Sequence, residues 1–390
     1  MPIARSIATA ALLWAACCLG TASAQTPGVT DKEIRLGTIQ DMSGPIVQLS
    51  KQTIAGMQMR LDEANAAGGI NGRQVKLYIE DHGYDPKRSV LAAQKLIEQT
   101  GVFGVLGLMG SPTSVAALPV LEDANVLSLF PLTAHVALSE PKPLRWAFTP
   151  HYDEMMRAGV KEMVKAKGYK TVCMLYQDDD YGQEVARGAT QGLKDIGMSM
   201  KEVTTYKRGA TDFSSQVAKL QSADCKLVVL GAILREPALI MAEAHKIGFA
   251  PDFMSSTASH TINLPKLGGK DVEGFYTMAL VKVPYADNPD PAVRDWVAKF
   301  KAKFNFDPDV YAVYGWEVAD LFVKAAGEAG RELTTQAYIK AMEKLHGGPD
   351  MFGSSYAFGP TSHQGASHCY IAQIKDGRWI TLPTPVVLTQ

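Results

Sequence analysis

The chain has 390 residues, 46% of them hydrophobic, and carries 39 Lys and Arg against 40 Asp and Glu, a formal net charge of −1. Charges of both signs are interspersed rather than gathered into a basic tract, which excludes binding to nucleic acid through a broad electrostatic surface. The length exceeds what one hydrophobic core organises comfortably, so two domains are expected.

The first recognisable segment is a short basic start, Met1 to Arg5, followed by an apolar run from Ile7 to Leu19 and by Ala22-Ser23-Ala24 before Gln25. A charged start, an apolar stretch too short to span a bilayer comfortably and a small-residue site describe a removable export signal cleaved after Ala24. The mature chain is expected to work outside the cytoplasm as a free protein. Lipid attachment at Cys18, which has Ala15 three positions before it, is the alternative. Cys173, Cys225 and Cys369 remain after cleavage, each in or beside an apolar stretch and none with metal-ligand spacing. Buried free thiols are the expectation, with one disulfide left open by the oxidising export compartment.

Strands and helices then alternate. Ile34 to Ile39 reads as a strand, Gln52 to Ala67 as a helix stopped by Gly68-Gly69, and Val75 to Glu80 as the next strand. Asp85-Pro86 starts a helix reaching about Gln99, Val102 to Leu108 is a buried strand, Ser111-Pro112-Thr113 opens another helix, and Val126 to Phe130 is a fourth strand. Short apolar strands between helices predict a parallel sheet covered on both faces. Beyond Pro150 the pattern restarts, with strands at Val172–Tyr176, Met198–Thr205, Leu227–Leu230 and Phe253–Ser256, and helices at Gly182–Gly192, Phe213–Gln221 and Arg235–Ile247. Near the end, Cys369 to Ile374 and Arg378 to Ile380 read as a hairpin around Asp376-Gly377. Two Rossmann-like halves predict two α/β lobes with parallel sheets flanked by helices and a cleft between them.

Motifs for chemistry are absent. No G-x-G-x-x-G follows the first strand, and neither a G-x-x-x-x-G-K-[ST] loop nor a G-x-S-x-G elbow occurs. His346, His363 and His368 lack metalloenzyme spacing. No catalytic residue, cofactor or metal is expected, because an exported enzyme would need a nucleophile and base, or a metal cluster, at a recognisable spacing.

Asp31-Lys32-Glu33-Ile34-Arg35-Leu36-Gly37 followed by Gly44-Pro45, Gly68-Gly69-Ile70-Asn71-Gly72-Arg73, Asp85-Pro86, Gly110-Ser111-Pro112-Thr113-Ser114 and Asp180-Tyr181-Gly182 recur in an order that resembles the periplasmic solute-binding proteins of the branched-chain amino acid transport type. The resemblance extends over nearly the whole mature chain. It implies the type I periplasmic binding fold: two lobes joined by three crossing segments, flytrap-like closure around a small solute, and delivery to the membrane permease of an ABC transporter by a monomeric periplasmic protein. The expected division is a signal at 1–24, a first lobe from 30–150 and 278–360, and a second from 151–277 and 361–390. The crossing is expected near Thr277, and Val293 to Ala329 would return to the first lobe.

Site candidates follow. The helix entered through Gly110-Ser111-Pro112-Thr113 would present unpaired amides to an anion, with the Ser111 hydroxyl as a further donor, so a carboxylate-bearing ligand is expected. Ser111 capping its own helix is the competing reading. The family places a backbone group and a hydroxyl after the next strand, here Phe130-Pro131-Leu132-Thr133, with Thr133 as the candidate. Tyr181 matches a family tyrosine approaching from the other lobe. Amino acid binders of the family carry an acid after the strand at Phe253, but Ser255-Ser256-Thr257-Ala258-Ser259-His260 holds none, and Gly231-Ala232-Ile233-Leu234 stands where a tyrosine is common. A buried ammonium without counter-charge is costly. An aromatic or hydrophobic organic acid is therefore the leading expectation, with branched-chain or other hydrophobic amino acids, or a sensory amide- or solute-binding role, as alternatives. Ala232 in that altered loop is a further lining candidate, Arg235, His260, His135, Arg145 and His151 are further polar candidates, Phe130 and Phe148 could stack on a ring, and Tyr84 and Tyr311 could line the cleft.

Overall fold

A computed structural model describes residues 26–388. The export segment and its cleavage site lie outside the described residues. The first sheet is built from β1 (Glu33–Gln40), β2 (Gln74–Asp81), β3 (Gly104–Leu106), β4 (Leu127–Leu129) and β5 (Arg145–Trp146), all parallel, in the order β2-β1-β3-β4-β5. Helices α1 (Val47–Ala66), α2 (Pro86–Lys95) and α3 (Ser111–Asp123) connect these strands. Asp85 caps α2 by accepting the Arg88 amide at 2.9 Å, as the Asp-Pro pair predicts.

The chain then crosses to α4 (Tyr152–Lys167) and a second sheet. It continues through β6 (Val172–Gln177), α5 (Asp180–Asp195), β7 (Val203–Tyr206), α6 (Ser214–Ser222), β8 (Leu227–Gly231), α7 (Arg235–Lys246), β9 (Asp252–Ser255), α8 (Asn263–Gly268) and β10 (Tyr276–Ala279). The parallel part runs β7-β6-β8-β9-β10, which repeats the strand order of the first sheet. Thr277 sits inside β10, so the chain leaves the second sheet after Ala279. Helices α9 (Pro291–Phe304), α10 (Val310–Glu328) and α11 (Thr335–Met342) follow, then a short ribbon of β11 (His346–Gly347) and β12 (Tyr356–Ala357). The chain returns to the second sheet as β13 (His368–Lys375), antiparallel to β10, and closes with β14 (Arg378–Thr381) and β15 (Val386–Val387). Asp376 and Gly377 turn the β13–β14 hairpin, both at positive φ (53° and 71°), as a tight two-residue turn requires.

Two glycines bring α10 home to the first lobe. A Cβ on Gly56 of α1 would lie 2.0 Å from the Ala312 carbonyl, and one on Gly315 of α10 would lie 2.2 Å from the Thr53 carbonyl. Only bare backbone permits so close a crossing, and this seats the start of α10 at the lobe interface.

The expectation of free thiols at Cys173 and Cys225 is corrected: they form a disulfide, Cα atoms 5.8 Å apart, across the neighbouring strands β6 and β8. Cys173 lies within β6, Cys225 just ahead of β8, and the sheet order brings them together. Cys369 is free and buried, and burial pushes its thiol up to about 12.

Candidate functional site

In both sheets the strand order reverses between the first and third strands, which opens a crevice at their carboxyl ends. The two crevices face each other, and the loops after β3, β4, β8 and β9 supply much of the wall between them. Two neighbouring cavities of about 20 Å³ each lie there, each with room for about one water molecule. Both are walled by Leu132, Thr133, Tyr152 and Tyr311. The first adds Ile46, Leu49, Tyr84, Met109, Gly110 and Ser111 from the first lobe and Tyr181, Ile233 and Ala258 from the second. The other adds Ala134, Thr149, Thr257 and Tyr314.

Gly110, at φ 87° and ψ 143°, is the N-cap of α3, and no side chain caps this helix. Ser111 is thus the first helical residue rather than its cap, and its hydroxyl lies 2.5 Å from the Thr133 hydroxyl. A helix N-terminus with two adjoining hydroxyls is a donor-rich surface that suits a carboxylate.

Tyrosines form the remaining polar wall. The Tyr181 hydroxyl donates to the Ala232 carbonyl at 3.0 Å and lies 2.9 Å from the Ser256 hydroxyl, while Tyr311 donates to the Ala258 carbonyl at 3.2 Å. The Tyr152 and Tyr181 rings meet edge to face at 5.1 Å. Burial raises the Tyr152 phenol to about 12, against the opposing effect of hydrogen bonds with Thr133 and Ala134, and burial also pushes Tyr181 upward. Neither phenol ionises near neutral pH. Among the described residues, the walls contain no carboxylate, imidazole, amine or guanidinium. Such a lining can bind and orient a small solute, but it holds no base or acid matched to proton transfer. No cluster of three or more His, Cys, Asp or Glu among the described residues could hold a metal ion.

Of the sequence candidates, Ser111, Leu132, Thr133, Tyr181, Tyr84 and Tyr311 converge on the first cavity. The others lie elsewhere, for physical reasons. Pro112 is buried in the first turn of α3, and Thr113 turns its hydroxyl back onto the Met109 and Gly110 carbonyls. Ala232 serves through its carbonyl, which accepts from Tyr181, Ser255 and Ser259 and so shapes the second lobe's rim. Arg235 is exposed at the start of α7. Phe130 is fully buried and packs on Phe358 with ring centroids 5.9 Å apart, and Phe148 is core. His260 is fully buried with its ring edge-on to Trp379 at 5.2 Å, and burial lowers its pKa to about 3, so it is a neutral core histidine. Arg145 is paired with Glu122 and Glu140, His151 bonds Ser139, and His135 lies 4.0 Å from Glu184.

Sequence reasoning missed Ile46, Leu49, Met109, Tyr152, Thr149 and Tyr314 as wall residues. Tyr152 had a readable signal, because it opens the first helix after the Pro150 crossing, where the chain enters the second lobe.

The walls meet through buried polar links. Asp309, the N-cap of α10, accepts from the Ile262 amide at 3.0 Å and from Asn263 at 3.1 Å as well as from Thr261. The fully buried Glu184 accepts the Val136 amide at 2.7 Å.

A sequence profile of the family described as periplasmic binding protein matches residues 33–378. The chain is 26% identical over 310 residues to the leucine-, isoleucine-, valine-, threonine- and alanine-binding protein of Pseudomonas aeruginosa, covering 78% of this chain and 81% of that one. It is 28% identical over 305 residues to a Leu/Ile/Val-binding protein homolog of Brucella abortus, covering 78% and 80%. Among solved structures, the fatty acid ABC transporter substrate-binding protein from Thermomonospora curvata superposes with a TM-score of 0.81 at 25% identity, covering 92% of this chain and 93% of that one.

Proposed function

The chain belongs to the periplasmic binding protein family, and from that premise we propose that it captures one small aliphatic carboxylate solute between its lobes and presents it to the permease of an ABC importer. The family is one of periplasmic, non-catalytic solute binders. The observation that carries the ligand class is the interlobe cavity itself: the α3 N-terminus, the Ser111 and Thr133 hydroxyls on one wall, and apolar or phenolic groups on the others. The named specificities of the amino-acid-binding relatives support an aliphatic amino acid of the branched-chain type. In that reading the hydroxyls and helix amides hold the carboxylate, Ile46, Leu49 and Ile233 meet the aliphatic body, and the Tyr181 and Tyr311 hydroxyls with the Ala258 carbonyl face the ammonium. The preference for an aromatic acid gains no support from these relatives, none of whose names is that of an aromatic-acid binder.

One observation favours a second reading, an aliphatic carboxylate lacking the ammonium. No acid lines the cavity, and an unpaired buried cation is costly. The fatty-acid name of a structural relative is compatible with it. Calorimetric titration of the mature protein with leucine and with 4-methylpentanoate, which differ only in the amino group, separates the two. Tighter leucine binding supports the amino acid reading, and tighter 4-methylpentanoate binding supports the second. Saturable binding of neither, with tight benzoate binding, would sink both.

A further inference from the structure

Tyr84 is an unusual wall residue. It is buried, yet its backbone is left-handed at φ 58°, a region that bulky side chains rarely adopt. Its ring lies so close to Gly110 that a Cβ there would sit 2.5 Å from the ring. Local contacts hold part of this arrangement, since the Tyr84 amide donates to His82 Nδ1 at 2.8 Å and His82 Nε2 is 2.9 Å from the Met109 carbonyl. The other restraint comes from the opposite lobe. Arg208, in the loop after β7, donates to the Tyr84 carbonyl and lays its guanidinium over the Tyr84 ring at 4.7 Å from the centroid. The same guanidinium is anchored at home by Asp179, the N-cap of α5, at 3.5 Å.

We propose that Arg208 is a positioning residue for ligand retention: a latch from the second lobe that grips Tyr84 and fixes the cavity wall only when the lobes are closed. The inference rests on reading the interlobe cavity as the solute site. Three features point to Arg rather than a generic cation: a planar face for the ring, a forked donor set for a carbonyl and a carboxylate together, and a permanent charge. Because these contacts span the lobes, they exist only after closure, so removing them acts on departure rather than on encounter.

The test compares wild type, Arg208→Gln and Arg208→Lys. Stopped-flow kinetics use whichever of leucine and 4-methylpentanoate wild type binds more tightly, and interlobe distances come from spin labels on α2 and α6. In Arg208→Gln, koff is expected to rise about tenfold with kon changed by less than about threefold. The ligand-free melting temperature should stay near that of wild type, and the closed distance population should fall. Arg208→Lys keeps the charge facing Asp179 but loses the fork and the planar face, so it should recover only part of the retention. Equal koff and equal distance distributions in wild type and Arg208→Gln would overturn the latch. If wild type binds neither ligand, the reading of the cavity fails and the ligand-free distances alone decide the latch: a reduced closed population in Arg208→Gln supports it, an unchanged one refutes it.

Discussion

Replacing Gly110 by alanine probes the cavity wall most sharply, and Gly168→Ala provides its control. Both glycines have positive φ, 87° and 71°, so both substitutions meet backbone strain. Gly168 ends α4 in the ordinary left-handed conformation and a Cβ there would meet nothing within 4 Å, so its cost should be about 1 kcal/mol. Gly110 combines φ 87° with ψ 143°, a region almost confined to glycine, worth about 1–3 kcal/mol to a side chain. Its Cβ would also fall 2.5 Å from the Tyr84 ring and 2.9 Å from the Thr113 hydroxyl, and such overpacking adds about 1–3 kcal/mol. The ring cannot swing clear easily, because Arg208 holds it from the other side. Urea unfolding followed by circular dichroism should therefore show Gly110→Ala losing about 2–6 kcal/mol against about 1 for Gly168→Ala. Ligand titration should show a loss of affinity only for Gly110→Ala. Equal destabilisation of the two variants, with binding intact in both, would refute the geometry assigned to the turn after β3.

Other substitutions test the framework. Asp81 pins the loop after β1: burial raises its pKa, but hydrogen bonds from Ser43 and the Met42 and Gly83 amides, with Arg88 alongside, bring it down to about 2. Its stabilisation is complete above the unfolded value near 3.8 and is lost as pH falls through about 2, so wild type should lose about 1–2 kcal/mol more than Asp81→Asn between those limits, measured by urea midpoints. Parallel curves would contradict this. Asp309→Asn places an amide donor among the four donors that converge on this carboxylate, and about 2–4 kcal/mol of stability should be lost; a change below about 0.5 kcal/mol would sink the assignment. Removing the Cys173–Cys225 bridge, which spans 52 residues, by the double serine variant should cost about 2–4 kcal/mol under non-reducing conditions, and the difference should vanish when wild type is reduced.

Local sequence specified the elements well where apolar runs were bounded by strong breakers. Asp85-Pro86, Gly68-Gly69 and Asp376-Gly377 each act within a few residues, so the helix start, the helix stop and the hairpin were legible. The strand expected from Met198 begins only at Val203, because Met198 to Glu202 carry no alternation strong enough to fix where edge pairing starts. The site was half legible. Ser111, Thr133 and Tyr181 belong to motifs whose order survives in the chain, whereas Tyr152 and Tyr314 reach the cavity through the crossing and the α1–α10 packing. His260 looked available because loop position predicts exposure, but tertiary burial against Trp379 claims it, while Phe130, read as the end of a strand, packs into the core against Phe358. The disulfide depends on β6 and β8 being neighbours, which spacing alone does not encode.

The most direct test of carboxylate capture is calorimetric titration of wild type and of the Ser111→Ala/Thr133→Val double variant with the preferred aliphatic carboxylate. Each hydroxyl lost from a charged ligand removes about 1.5–3 kcal/mol, so the double variant should bind at least about a hundredfold more weakly while wild type binds one solute per chain. Undiminished affinity in the double variant, with its fold intact, would contradict the assignment of the carboxylate to this wall.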